Sequence, residues 1–209
     1  MNKEQLTELY RKYFRPLEGI AMFIGITLVI HYVFRFWAYQ LNFLPVTSWV
    51  ADTRIWLSEL AFRNTGAVLS FLGLDFTTAN NTFIFESGNW LAINTGCSGF
   101  KQFLQAFFLY LIYPGKIRHK FWFIPLAMVL MHVANIIRLT GVGLTMYWRP
   151  EWFDFSHDYV FRFTFYLILF LLWIWWEEKY RLTVTKEWKR KARTHQNGKE
   201  QVDDNSIRR

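Results

Sequence analysis

One cysteine, Cys97, is all the thiol this chain of 209 residues contains. A single thiol excludes an intramolecular disulfide and any cysteine-based zinc or iron–sulfur centre within one chain. The formal charge of +8 comes with no helix-turn-helix, RNA-binding or zinc-finger pattern, so nucleic acid is not an expected partner. No two apolar segments supply paired histidines at matching depth, which removes a haem reading, and no metal or cofactor is expected. Paired half-helices and internal repeats, the marks of many small transporters, are missing as well. The apolar segments leave no room for a separate soluble domain in a chain of this length. No small-residue cleavage site follows the first apolar run, which is longer than a signal-peptide core, and it reads as an uncleaved anchor.

Aromatic residues, by contrast, make up 21% of the chain, and they collect at the edges of long apolar runs. That placement fits a bilayer protein, in which Trp and Tyr gather at the interfaces. Spanning a hydrocarbon core takes about 20 helical residues, and four segments answer: about Leu17 to Leu41, Ser98 to Tyr113, Phe121 to Tyr147 and Asp158 to Trp176. The second is short unless it starts at or before Cys97. Lys3, Arg11, Lys12 and Arg15 precede the first span; Lys116, Arg118 and Lys120 separate the second from the third; Lys179 and Arg181 open a basic tail. The intervening loops hold few cations. By the positive-inside rule both termini and the 115–120 turn are cytoplasmic, which sets Cys97 and His157 together on the outer side.

Residues 49–74 resemble a fifth span, but Asp52, Arg54, Glu59 and Arg63 would be costly in lipid. An amphipathic helix lying on the outer face, or a re-entrant one, is the better reading. The following stretch alternates around Asn80-Asn81 and Ser87-Gly88, the pattern of short strands in an exposed hairpin. The expected fold is therefore an all-α polytopic membrane protein of about four transmembrane helices, with an outer-face amphipathic helix and a short hairpin-like loop. A membrane domain covers 1–178, and a basic, partly disordered cytoplasmic tail covers 179–209.

Three elements bear chemistry. Gly96 and Gly99 flank Cys97 and Ser98, letting the backbone turn tightly into a helix N-terminus, where the positive end of the dipole favours a thiolate. Lys101, four residues on, adds positive charge. From position alone, an inert small apolar side chain is an equally good reading of Cys97. In the third span Arg138 falls within the hydrocarbon, where an arginine costs about 2.5–3.5 kcal/mol on insertion scales and normally faces a partner or wet cavity. His132, Asn135 and Arg138 recur every three residues and share a helix face. A lone arginine pinning helices together would not need that stripe, so an internal site is the stronger inference. His157, between Asp154 and Asp158 at the start of the fourth span, suits general acid–base work, although an interfacial histidine is often only a helix cap. His31, Arg35 and His119 read as structural or lipid-facing. Converging at the outer face, Cys97, His157 and Arg138 would suffice for acyl transfer without a metal, with thiolate attack, proton shuttling and carbonyl or oxyanion stabilisation as their roles.

Cys-Ser-Gly at 97–99, Asn-x-x-Arg at 135–138 and His157 before the last span resemble, in type and order, the exosortase/archaeosortase family of membrane cysteine transpeptidases. The resemblance covers roughly residues 80 to 176, and points to a short, single-domain bacterial branch. It implies Cys97, Arg138 and His157 as a catalytic triad, with Asn135, Ser98, Gly99 and Lys101 in support. It further implies a thiol protease in the cytoplasmic membrane that cleaves C-terminal sorting signals at the outer face. Its partners would be the lipid bilayer and exported proteins ending in a membrane span and a basic terminus. The competing reading is a non-catalytic assembly or export factor, in which Arg138 and His157 only hold the bundle together.

Overall fold

A computed structural model describes residues 15–156 and 161–181. Five helices account for most of them: α1 (Arg15–Tyr39), α2 (Thr47–Phe71), α3 (Phe100–Ile112), α4 (Ile117–Trp148) and α5 (Phe161–Trp176). Strands β1 (Phe76–Ala79), β2 (Thr82–Phe85) and β3 (Trp90–Ala92) lie between α2 and α3, and a π-helical turn, Glu177–Arg181, closes the described chain. The expected division at 178/179 falls inside that turn. The tail from 182 onward, and His157 with Asp158, lie outside the described residues.

Among the described residues, length and composition qualify two helices to cross a membrane, Leu17–Tyr39 and Ile117–Trp148. In α1 the inward positions Gly19, Phe23 and Ile30 are four and seven residues apart, one face of a helix. Leu28, Val29, Val33 and Phe36 are left outward. The segments expected as second and fourth spans are shorter in their described parts. The 13 residues of α3 reach about 20 Å, against roughly 30 Å of hydrocarbon. Gly99 sets the start of α3, with a left-handed φ of 72° that ends the preceding turn and that a side chain would disfavour.

Residues 47–71 form an amphipathic helix, as their charge pattern predicts. Val50, Leu57, Ser58, Ala61, Thr65 and Leu69 are buried, while Asp52, Glu59 and Arg63 are exposed. Its inner face meets the C-terminal half of α4, where Leu69 packs over Gly143 and a Cβ there would come within 3.2 Å of it. The polar stretch that follows holds three strands rather than a hairpin alone, in an antiparallel meander ordered β1-β2-β3. Asn80 and Asn81 both take positive φ, 47° and 58°, the backbone of a tight turn matched to strand twist. Phe83 and Phe85 are buried, Phe83 stacking on Phe62 of α2 at 4.4 Å. The sheet is thus half-buried, its apolar side lying on α2 and α4.

Aromatic rings fasten the opposite end of the bundle. Tyr110, Tyr113, Phe123 and Trp176 are wholly buried. The Trp176 indole donates to the Pro114 carbonyl at 3.1 Å, and the Tyr113 hydroxyl bonds Glu177 at 2.6 Å. Trp176 lies so close over Gly115 that a Cβ there would collide with it. Nearby, Phe23 of α1 contacts Phe170 and Trp173 of α5, with ring centroids 5.6 and 5.0 Å apart.

Candidate active site

Residues 94–99 build the cysteine turn from their own polar groups. The Asn94 carboxamide oxygen accepts the Gly96 N–H at 2.8 Å, and the Cys97 N–H donates to the Asn94 carbonyl at 2.9 Å. Ser98 Oγ accepts the Phe100 N–H at 3.3 Å, which satisfies one of the free donors at the start of α3, where Gly99 is the N-cap. From α2, Arg54 donates to the Thr95 hydroxyl at 3.4 Å, and its guanidinium lies 5.5 Å over the Phe43 ring. Cys97 therefore ends a 3-10 turn, Thr95–Cys97, just ahead of α3, instead of opening that helix. Its half-buried side chain packs against the cluster of α2, α4 and sheet residues that includes Ala61, Leu139 and Val142.

Asn135 locks this turn to α4. Its Nδ2 donates to the Cys97 carbonyl at 2.9 Å, the side chain is wholly buried, and its Oδ1 has no hydrogen-bond partner. A Cβ at position 99 would stand 3.2 Å from that Nδ2, so the glycine allows the close approach of turn and helix. Arg138 follows three residues later, about 4.5 Å further along the same helix face, and its guanidinium lies 5.8 Å over the Phe165 ring of α5. The turn bearing Cys97, Asn135 and Arg138 are thus neighbours through one hydrogen bond and one helical turn.

The stripe at 132, 135 and 138 serves three places. His132 turns away from the other two, its Nε2 3.0 Å from Asn64 Nδ2 of α2 and its ring stacked on Phe103. Asn135 faces the cysteine turn. Arg138 borders a cavity of about 420 Å³ whose wall also includes His31, Gly96, Lys101, Gln102 and Gln105. Lys101 and the residue beside Cys97 thereby meet Arg138 at one space. Sequence reading missed Gln102 and Gln105, and set His31 aside as structural or lipid-facing. The usable signal was the presence of Lys101, Gln102 and Gln105 at one- and four-residue steps in an otherwise apolar helix. Among the described residues, no group of three or more His, Cys, Asp and Glu side chains is placed to hold a metal ion.

Neither a curated protein nor a solved structure matches the chain. A family model does, that of the transmembrane exosortases, over residues 17–177. The match takes in both membrane-length helices, the cysteine turn, Asn135 and Arg138. This largely helical membrane protein with its small three-stranded sheet belongs to the transmembrane exosortase family.

Proposed function

We propose that the protein is a membrane-embedded cysteine protease/transpeptidase that cleaves C-terminal sorting signals of exported proteins at the outer face of the cytoplasmic membrane. The observation that supports this most is the 2.9 Å bond from Asn135 to the Cys97 carbonyl, which holds the only thiol beside the helix face that bears Arg138. Both termini lie in the cytoplasm, and α3 and α5 complete a set of four crossings, in accord with the basic 115–120 turn and tail.

In the reaction, Cys97 Sγ attacks the scissile carbonyl carbon after His157 takes the thiol proton. Arg138 holds the carbonyl oxygen as its charge develops, an interaction strengthened in a water-poor site. Collapse of the tetrahedral species breaks the C–N bond, and His157 returns the proton to the departing amine. The resulting thioester passes its acyl group to water or to an amine, and the thiol is regenerated. Ser98 and Gly99 shape the turn, and Lys101 adds positive charge beside it.

Cys97→Ala and Cys97→Ser each abolish processing while protein level and insertion stay normal. Envelope proteomics of a deletion strain complemented with each variant reads this as exported proteins retaining an uncut C-terminal span with a basic end. Normal processing in both variants refutes covalent catalysis. Loss of the protein itself favours a scaffold role.

A further inference from the structure

Gln105 stands on the wall of the cavity beside the cysteine turn and is only 2% exposed, and among the described residues its Nε2 has no hydrogen-bond partner. A buried donor left unmade destabilises a fold, so an unpaired amide kept at a cavity wall marks a place where an acceptor arrives. The terminal torsion of a glutamine is soft, and a small turn of the amide presents its N–H to that acceptor. Gln105 also lies well inside the bundle. Phe103 stacks on His132, which brings the next turn of α3 level with Met131 of α4, another wall residue. Leu169 of α5 shares the same wall, eight residues past Phe161 and so about 12 Å from the start of that helix. The surroundings at this depth are apolar, and the donor there is uncharged.

A main-chain carbonyl of the substrate fits this donor. Gln105 is five residues beyond Phe100, where α3 starts, a rise of about 7.5 Å. An extended chain advances about 3.3 Å per residue. A strand whose scissile carbonyl meets Cys97 and which follows α3 therefore brings the carbonyl two or three residues further on to Gln105. α3 leads from the cysteine turn toward the basic 115–120 turn, so this is the side on which a sorting signal carries its own membrane span. A span that stayed helical up to the cut would spend its carbonyls internally and close off the scissile amide. Non-helical backbone at membrane depth is tolerated only where protein supplies its partners. We propose that Gln105 donates to the main-chain carbonyl of the second or third residue after the scissile bond, on the departing side, and so holds the top of the substrate's span unwound for attack. The assignment rests on the protease reading above and names how its substrate is held.

The test uses the full chain in detergent and a synthetic peptide carrying the uncut C-terminal region of an exported protein that accumulates in the deletion strain. Gln105→Met keeps the length of the side chain and removes the donor. Its Tm equals or exceeds that of the wild type, because an unpaired buried amide is lost, while kcat/KM falls about tenfold, chiefly through KM. A second series replaces single amides of the peptide by esters, one at a time from the scissile bond into the span, since an ester carbonyl is the weaker acceptor. In the wild type, one ester at the second or third residue slows cutting about threefold; in Gln105→Met the same ester adds nothing, the signature of a shared contact. Wild-type kinetics in Gln105→Met, a Tm that drops along with cutting, or an ester series in which that position slows the wild type no more than its neighbours each overturns the assignment while leaving the protease reading intact. The ester series needs no variant, so it decides the matter even where Gln105→Met does not fold. If no exported protein accumulates uncut, or Cys97→Ala still cuts the peptide, the protease reading falls and the assignment with it.

Discussion

Replacing Asn135 by leucine separates positioning from stability. The two side chains are close in size, so the wholly buried site is neither emptied nor greatly overfilled. The substitution removes the 2.9 Å bond to the Cys97 carbonyl, worth about 1 kcal/mol net, and leaves that oxygen without its donor. It also removes Oδ1, which is buried without a partner and itself costs about 1–3 kcal/mol. These contributions oppose each other, and the net change in stability is about 1 kcal/mol or less in either direction. In a chain of this size that moves Tm by about 2–4 °C. Processing responds far more, because the turn that presents the thiol loses its tie to the Arg138 helix. A displacement of about 1 Å at a reacting group costs on the order of 100-fold in rate. Thermal unfolding in detergent gives the first quantity, and the fraction of uncut C-terminal spans in a complemented deletion strain gives the second. Wild-type processing by Asn135→Leu refutes the positioning role. A collapse in Tm together with processing would make Asn135 a packing residue instead.

Three further outcomes follow from the same geometry. Arg138→Lys fails to process, because an ammonium does not replace a planar fork over Phe165; equal processing by the lysine variant in the same strain argues against a carbonyl clamp. Gly99→Ala forces a side chain into a backbone with φ of 72° and toward Asn135. It costs about 1–2 kcal/mol from the left-handed conformation alone, read as a fall in Tm, with slower processing because the turn and Asn135 must separate. A membrane-impermeant thiol reagent applied to intact cells modifies Cys97 and is blocked by prior treatment with a permeant one; labelling only after lysis reverses the proposed orientation.

Local features of the fold were legible and long-range pairings were not. Asn80-Asn81 announced its turn because few other residues take positive φ at two successive positions. The charged face of α2 was readable because Asp52, Glu59 and Arg63 recur at steps that keep them on one side. The third strand was harder to see, since Trp90–Ala92 is only three residues long and pairs through its partner's pattern rather than its own. The helical stripe at 132, 135 and 138 drew attention to one face of α4 but concealed its division. Which neighbour each residue meets depends on Asn64, 68 positions from His132, and on the cysteine turn, 38 positions from Asn135. The cavity drew its wall from four helices, each contributing one to three polar residues that look incidental within their own segment. Periodicity reports which face of a helix is unusual, but not which other helix faces it.

The clasp of Trp176 over Gly115, with its bond to Pro114, has a mechanical consequence. It joins the link between α3 and α4 to the far end of α5, and Tyr113 with Glu177 repeats the joint beside it. Three helices so pinned at one extremity can neither slide lengthwise nor separate there. Any breathing of the bundle becomes a pivot about that riveted base, with its amplitude largest at the opposite end, where the cysteine turn meets α4.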